Sequence, residues 1–421
     1  MKVVSHAFHA SDRLLTSFPA LNSCPGCLRP ARGGIVLTGR VYIIGGATSE
    51  FGKLQRSARQ LLVDTSLLAL RDAGVEPDAI DGSIVSNAFG FSERQIHIGP
   101  ILNTELGVPH KPSLTVESAC AGGSTALNEA FMRIAGGFDD ICLVAGAERI
   151  TQAGSIQATD YFAMGSDYLL EGSNGATFPG LYASMAVAYM HRYGTGRDAL
   201  ASVSIKNHEN ALLNPVAHLR KRITMEDYLE APMVAYPLGL YDCCPFSDGA
   251  SALLVASEKA ATELGRTDVE ILASRRAGSP APLQERDDLT SIPAAVTASS
   301  AAFRSAHITP EDVDVAEVHD CFTIAEIIAT EDIGFFRRGE GGMAAFAGET
   351  SLEGSIPVNP SGGLKAKGHP VSATGIAQMH ELYLQLMGHA GQRQVEDAEI
   401  ALAHNVGATG GSCTIHIARR R

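Results

Sequence analysis

One cysteine stands where a nucleophile would be useful. In Leu114-Thr115-Val116-Glu117-Ser118-Ala119-Cys120-Ala121-Gly122-Gly123-Ser124 a strand-like stretch runs into small residues and then into a helical pattern with apolar Leu127, Phe131 and Ile134. Cys120 therefore falls at a helix N-terminus, where free N–H groups and the positive end of the helix dipole favour a thiolate. The glycines beside it let a substrate approach the backbone closely. Taken alone, the same pattern fits a small buried cysteine that only fills space, so the weight lies in what accompanies it.

Three further clusters accompany it. Val318-His319-Asp320-Cys321-Phe322 follows a strand pattern over 313–318 and precedes helical Ile324, Ile327 and Ile328. An imidazole and a thiol thus sit at a strand's C-terminal end, where open α/β sheets bind ligands. Asn359-Pro360-Ser361-Gly362-Gly363-Leu364-Lys365-Ala366-Lys367-Gly368-His369-Pro370 opens a helix running to about Met387, and its His369 can exchange a proton near neutral pH. Lone histidines are usually structural. His404-Asn405-Val406-Gly407-Ala408-Thr409-Gly410-Gly411 lies between two strand patterns, and its glycines can offer N–H groups to an oxyanion.

The elements that must position these groups alternate. A strand over 40–46 and a helix over 57–73 open the pattern; strands at 83–86, 113–116 and 140–145 follow, with a helix over 122–135. Asp72-Ala73-Gly74-Val75-Glu76-Pro77-Asp78-Ala79-Ile80-Asp81 reads like Ser305-Ala306-His307-Ile308-Thr309-Pro310-Glu311-Asp312-Val313-Asp314, and the flanking elements agree. The chain is therefore expected to be an internal duplication, with His369 in the second copy's equivalent of the nucleophile's place. Three segments follow: an extension over 1–38, expected to be poorly ordered; a first half over 39–265 with an inserted loop domain over about 148–245; and a second half over 266–421.

Totals narrow the class. With 421 residues, 45% of them hydrophobic, the chain can bury more than one compact core. A formal net charge of −13 argues against nucleic acid or an anionic membrane as the main partner. No apolar run approaches the roughly 20 residues that span a bilayer. Eight scattered cysteines are too few for a disulfide scaffold and point to a reducing cytoplasm. Cys24-Pro25-Gly26-Cys27 has the spacing of half a zinc site, but no second ligand pair matches it, so no metal is expected.

Together the clusters resemble the thiolase superfamily, from about Arg40 to the C-terminus. His319-Asp320-Cys321-Phe322 is similar to the variant of the sterol-carrier-protein-2-type and archaeal-type thiolases, where other thiolases have Asn-Glu-Ala-Phe. Gly368-His369-Pro370 with Ala373-Thr374-Gly375 behind it, and Pro245-Phe246-Ser247-Asp248-Gly249-Ala250, are two more matching blocks. One block departs: where commoner thiolases carry a catalytic cysteine in Cys-x-Gly, this chain has Asn405-Val406-Gly407.

The resemblance implies an α/β, thiolase-like fold, a duplicated five-layered α-β-α-β-α architecture with an inserted loop domain. It implies acyl transfer between coenzyme A thioesters through an acyl group on Cys120, with no tightly bound cofactor. His369 would take the thiol proton, Cys321 would replace the missing cysteine as acid/base, and Cys413 would pack in the last strand. Oxyanion-hole donors would be the N–H groups of Cys120 and Gly407, and the imidazoles of His319 and His369. Arg220, Lys221 and Arg222 are candidates for the coenzyme A phosphates, with a solvated basic turn as the plain alternative; Ser247 and Asn405 are further candidate substrate contacts. Partners implied are acyl-CoA and CoA, a homodimer or tetramer formed through a sheet edge near 113–116, and a small OB-fold, zinc-containing protein. Two other readings stay open: a decarboxylating condensing enzyme of the ketoacyl-synthase type, and a non-catalytic acyl-CoA-binding subunit.

Overall fold

The computed structural model describes residues 39–421; the 1–38 extension and the pair Cys24 and Cys27 lie outside them. In chain order, the first elements are β1 (Val41–Thr48), α1 (Ala58–Ala73), β2 (Gly82–Ser86), α2 (Ile98–Glu105), β3 (Ser113–Val116), α3 (Gly122–Ala135) and β4 (Ile141–Glu148). A long excursion follows, holding α4 (Gly154–Ala163), α5 (Phe178–Tyr193), α6 (Arg197–Leu212), α7 (Met225–Glu230) and the hairpin β5 (Met233–Ala235) and β6 (Leu238–Gly239). The chain returns through β7 (Gly249–Ser257) and α8 (Glu258–Leu264). Then come β8 (Val269–Gly278), α9 (Pro293–Ala306), β9 (Val315–Glu317), α10 (Thr323–Ile333), α11 (Gly341–Phe346), α12 (Thr374–Leu386), β10 (Ile400–Gly407) and β11 (Ser412–Arg420).

Local chemistry sets the ends. Ser57 and Gln60 close a capping box at the start of α1, and Gly74 ends it at φ 68°, where a side chain would be strained. β4, β7 and β10 are buried at nearly every residue because both of their faces are covered.

The strands hydrogen-bond in the order β3-β2-β4-β7-β1-β8-β11-β10-β9. The β1–β8 contact is a seam joining only Val41 to Ile271 and Tyr42 to Glu270. On either side of it the order is mirrored. β1–β7–β4 are antiparallel and then β2 is parallel; β8–β11–β10 are antiparallel and then β9 is parallel. Val358 pairs in parallel with Ala316 of β9 where β3 pairs with β2 in the first set. The repeat seen in the sequence is thus a repeat of strand pairing.

Helices α1 and α2 cover the outer face of the first strand set and α9 that of the second, while α3 and α12 cross between the two sets. That gives five layers, α-β-α-β-α. The middle layer is tight because its contacts are glycines: a Cβ on Gly123 would lie 2.7 Å from the Ser372 carbonyl oxygen, and one on Gly375 would lie 2.2 Å from Ser124 Oγ. The N-termini of α3 and α12, which follow Cys120 and His369, therefore meet at the centre of the molecule. Among the described residues no helix is long and apolar enough to cross a membrane.

Candidate active site

Cys120 sits on a single 3₁₀ turn, Ala119–Ala121, directly before α3. The residue ahead of it, Ala119, is held at φ 46°, a left-handed conformation costing about 1–2 kcal/mol for a residue with a Cβ. Its N–H donates to Glu117 Oε1 at 2.6 Å, which anchors the turn. His369 enters from the loop before α12, and His319 and Cys321 from the loop between β9 and α10.

These separate loops converge. The Cys120 sulfur and ring nitrogens of His319 and His369 lie within 4.8 Å of one another, and the two imidazoles are edge to face with centroids 5.2 Å apart. Cys120, Cys321 and His369 open onto one cavity of ≈ 400 Å³, whose other walls include Phe162, Phe178, Phe246 and Phe322. Three chemically active groups thus face one largely apolar space.

Two devices hold the loops in register. The Asp320 carboxylate accepts from the N–H groups of Leu364 at 2.6 Å and Lys365 at 3.2 Å, and from Asn207 Nδ2 at 2.7 Å. It ties the His319–Cys321 loop to the loop leading to His369. Gly363 must be glycine there: at φ 57°, its Cβ would lie 2.2 Å from an Asp320 carboxylate oxygen. The segment leaving the excursion forms the second clip. Cys244 N–H donates to the Cys321 carbonyl at 3.0 Å, and the buried Ser247 hydroxyl accepts from His369 N–H at 3.2 Å.

Protonation follows from burial. Cys120 is a thiol in the free protein, pushed up to about 12 by burial, which outweighs the N–H groups of Ala408 and of Cys120 itself beside the sulfur. The helix N-terminus therefore does not make a resting thiolate, contrary to the expectation from local sequence: the dipole is a partial charge, whereas burial removes the solvation of a full one. Cys321 is raised as well, by burial and then by neighbouring Cys244. Burial lowers His369 to about 3, and it lowers His319 with help from His369 and His404. Both rings are neutral.

Each imidazole is oriented through Nδ1. Thr374 Oγ1 donates to the Pro370 carbonyl at 3.0 Å, so its lone pairs face His369, whose Nδ1–H donates to it at 2.7 Å. The bare Nε2 of His369 is left as a proton acceptor, without a partner among the described residues. The neutral thiol and neutral base give an expected result. Alkylation of Cys120 by iodoacetamide should rise about tenfold per pH unit from pH 6 to 9, following the thiolate fraction. A flat rate across that range would reveal a thiolate–imidazolium pair instead.

The remaining candidates are placed differently. Asn405, on β10, donates from its amide to His319 Nδ1 at 2.9 Å. Ser247 is used on the His369 backbone, as above. Arg220, Lys221 and Arg222 are exposed, Arg222 lying 3.9 Å from Glu209, and none of the three lines the cavity. Gly407 ends β10, and Ala408 beside it, at φ 56°, does line the cavity. Cys413 is buried on β11.

Some contributors had no signal of their own. Thr374 is five residues beyond His369 on the next helix, a spacing that marks a partner only once the intervening turn is known. Tyr182 comes from α5, stacks on Phe322 with centroids 4.6 Å apart, and donates its hydroxyl to the Ala408 carbonyl at 3.0 Å. Glu148, at the end of β4, accepts from Ser372 Oγ at 2.8 Å and from Phe89 N–H at 3.0 Å, pinning the turn after His369.

A thiol and two neutral imidazoles are brought together at the meeting point of two duplicated halves. Residues 41–259 match the thiolase N-terminal domain and residues 277–420 the thiolase C-terminal domain-like family; the chain belongs to the thiolase family and is an acyltransferase of that type. The acetyl-CoA acetyltransferase of Methanothermobacter thermautotrophicus is 46% identical over 382 residues, covering 90% of this chain and 99% of that protein. Sterol carrier protein 2 of Gallus gallus is 33% identical over 90% of this chain and 72% of its own length. Among solved structures, the Ltp2–ChsH2(DUF35) aldolase has the same fold, with a TM-score of 0.79 at 24% identity over 92% of this chain and 100% of that one.

Proposed function

We propose that the chain exchanges acyl groups between coenzyme A thioesters through an acyl-Cys120 intermediate, forming or cleaving a 3-oxoacyl thioester. The observation that carries this reading is the cluster itself, with the Cys120 sulfur and the two histidine nitrogens within 4.8 Å. In the first half-reaction His369 Nε2 takes the Cys120 proton as sulfur attacks the thioester carbonyl. Negative charge on that oxygen is met by the N–H groups of Cys120 and Gly407. When the tetrahedral adduct collapses, the departing CoA thiolate takes its proton from Cys321, and Cys321 becomes the thiolate base.

In the second half-reaction Cys321 removes the α-proton of a second thioester, whose oxygen becomes enolate-like against His319 and His369. The carbon attacks the acyl group, the Cys120 thiolate leaves, and His369 returns its proton. Every group ends as it began. The raised Cys321 fits this order, since the first step needs a thiol there and not a thiolate.

The resemblance adds coenzyme A and acyl-CoA as the exchanged partners, no tightly bound cofactor, a place in lipid metabolism and a homodimer or tetramer, and the scattered cysteines favour a cytoplasmic setting. The exposed edge strand β3 and the half-exposed Leu114 on it fit such pairing. A small OB-fold, zinc-containing protein is the further partner that the resemblance suggests. The reaction is tested with acetyl-CoA alone. Release of CoA with appearance of a 3-oxoacyl thioester is expected, and condensation that requires malonyl-CoA and releases carbon dioxide would move the chain to the synthase reading.

A further inference from the structure

We propose that Asn405 is a positioning residue that fixes His319 with its proton on Nε2, so that the two imidazoles facing Cys120 present one donor and one acceptor. The inference rests on the roles proposed above for His319 and His369.

An amide NH₂ group can only donate. With Asn405 Nδ2 at 2.9 Å from His319 Nδ1, that ring nitrogen must accept, and the single proton of the neutral ring goes to Nε2. The backbone that carries the ring is held as well, because His319 N–H donates to His404 Nδ1 at 3.3 Å and Val318 N–H to Asn359 Oδ1 at 2.8 Å. His319 Nε2 is buried and has no partner among the described residues, and a nitrogen of this ring lies within 4.8 Å of the Cys120 sulfur.

Thr374 enforces the opposite arrangement on His369, as shown above. The pair is therefore complementary: His369 Nε2 receives a proton from Cys120, and His319 Nε2–H stabilises an oxygen that becomes negative. A donor fixed before the reaction needs no reorganisation when charge develops, which is what makes it effective. The groups facing His319 are His369 before α12, His404 and Asn405 of β10, and Cys120 before α3. None is charged in the resting site, so the tautomer is set by the amide alone.

Asn405→Asp and Asn405→Ala separate this role from simple packing. A carboxylate only accepts, so in Asn405→Asp a neutral His319 must carry its proton on Nδ1 and loses its donor toward substrate. Deuterium exchange into acetyl-CoA at pH 8 should fall about 10²-fold, the usual loss for one oxyanion donor. Lowering the pH to 6 should restore much of it, because a neighbouring carboxylate favours the imidazolium, which donates from both nitrogens. Asn405→Ala leaves the ring free to take either tautomer and should lose less, within about tenfold. Acylation of Cys120, which depends on His369, should change little in both. Nitrogen-15 spectra of histidine-labelled wild type, with His319 assigned through His319→Gln, should show the Nε2–H tautomer.

An Nδ1–H signal for His319, or equal loss in both variants with no recovery at pH 6, overturns the role of Asn405. Absence of both acylation and exchange in the wild type overturns instead the catalytic reading beneath it.

Discussion

Cys120→Ala is expected to lower thiolysis of a 3-oxoacyl-CoA by on the order of 10⁴- to 10⁶-fold, the range seen when a covalent nucleophile is removed. Among the described residues no other thiol is placed to take over. Cys321, Cys243 and Cys244 share the cavity, but a ring nitrogen of His369 lies within 4.8 Å of the Cys120 sulfur, and Cys120 has its own N–H beside its sulfur. The variant should still fold, since alanine removes one atom from a position that is 9% exposed. Thermal unfolding near that of wild type, together with lost thiolysis, is the expected pair of results. Thiolysis within tenfold of wild type would remove Cys120 from the mechanism.

Cys321→Ala should divide the reaction. Acylation of Cys120 survives, because His369 activates that thiol and CoA thiolate can leave without a donor. Exchange of the acetyl-CoA α-proton with deuterium requires a base at the second thioester, and its loss should be about 10²- to 10⁴-fold, the usual contribution of a general acid/base. Carbon–carbon bond formation should fall in parallel. If exchange and thiolysis both persist in the variant, the proton goes elsewhere, and Asn405 is no substitute because its amide is engaged with His319.

How much of this was legible in the sequence depends on how far each feature's cause lies along the chain. The turn that carries Cys120 was legible because its strand, glycines and helix are contiguous over 113–135. The duplication was legible as two similar helix–proline–strand passages, and it reappears as mirrored strand order. Features made by distant segments were not. The protonation state of Cys120 is set by burial beneath walls that include Phe162, Phe246 and Ala408, none of which is near it in sequence. The helix dipole, visible locally, was outweighed by them. Asn405 reads as a missing cysteine until β10 is laid beside the His319 loop, and only then does its amide acquire a purpose. The basic run at 220–222 reads equally as a phosphate site or a solvated turn, since its meaning depends on what stands opposite.

An acyl group carried on Cys120 is visible as added mass. The wild-type protein is incubated with acetyl-CoA and quenched in acid, and the added mass is mapped by peptide mass spectrometry. One acetyl group per chain is expected, on the peptide containing Cys120 and absent from it in Cys120→Ala. Acetyl found on Cys321, Cys244 or a histidine in its place, or an unchanged mass gain in Cys120→Ala, would contradict it.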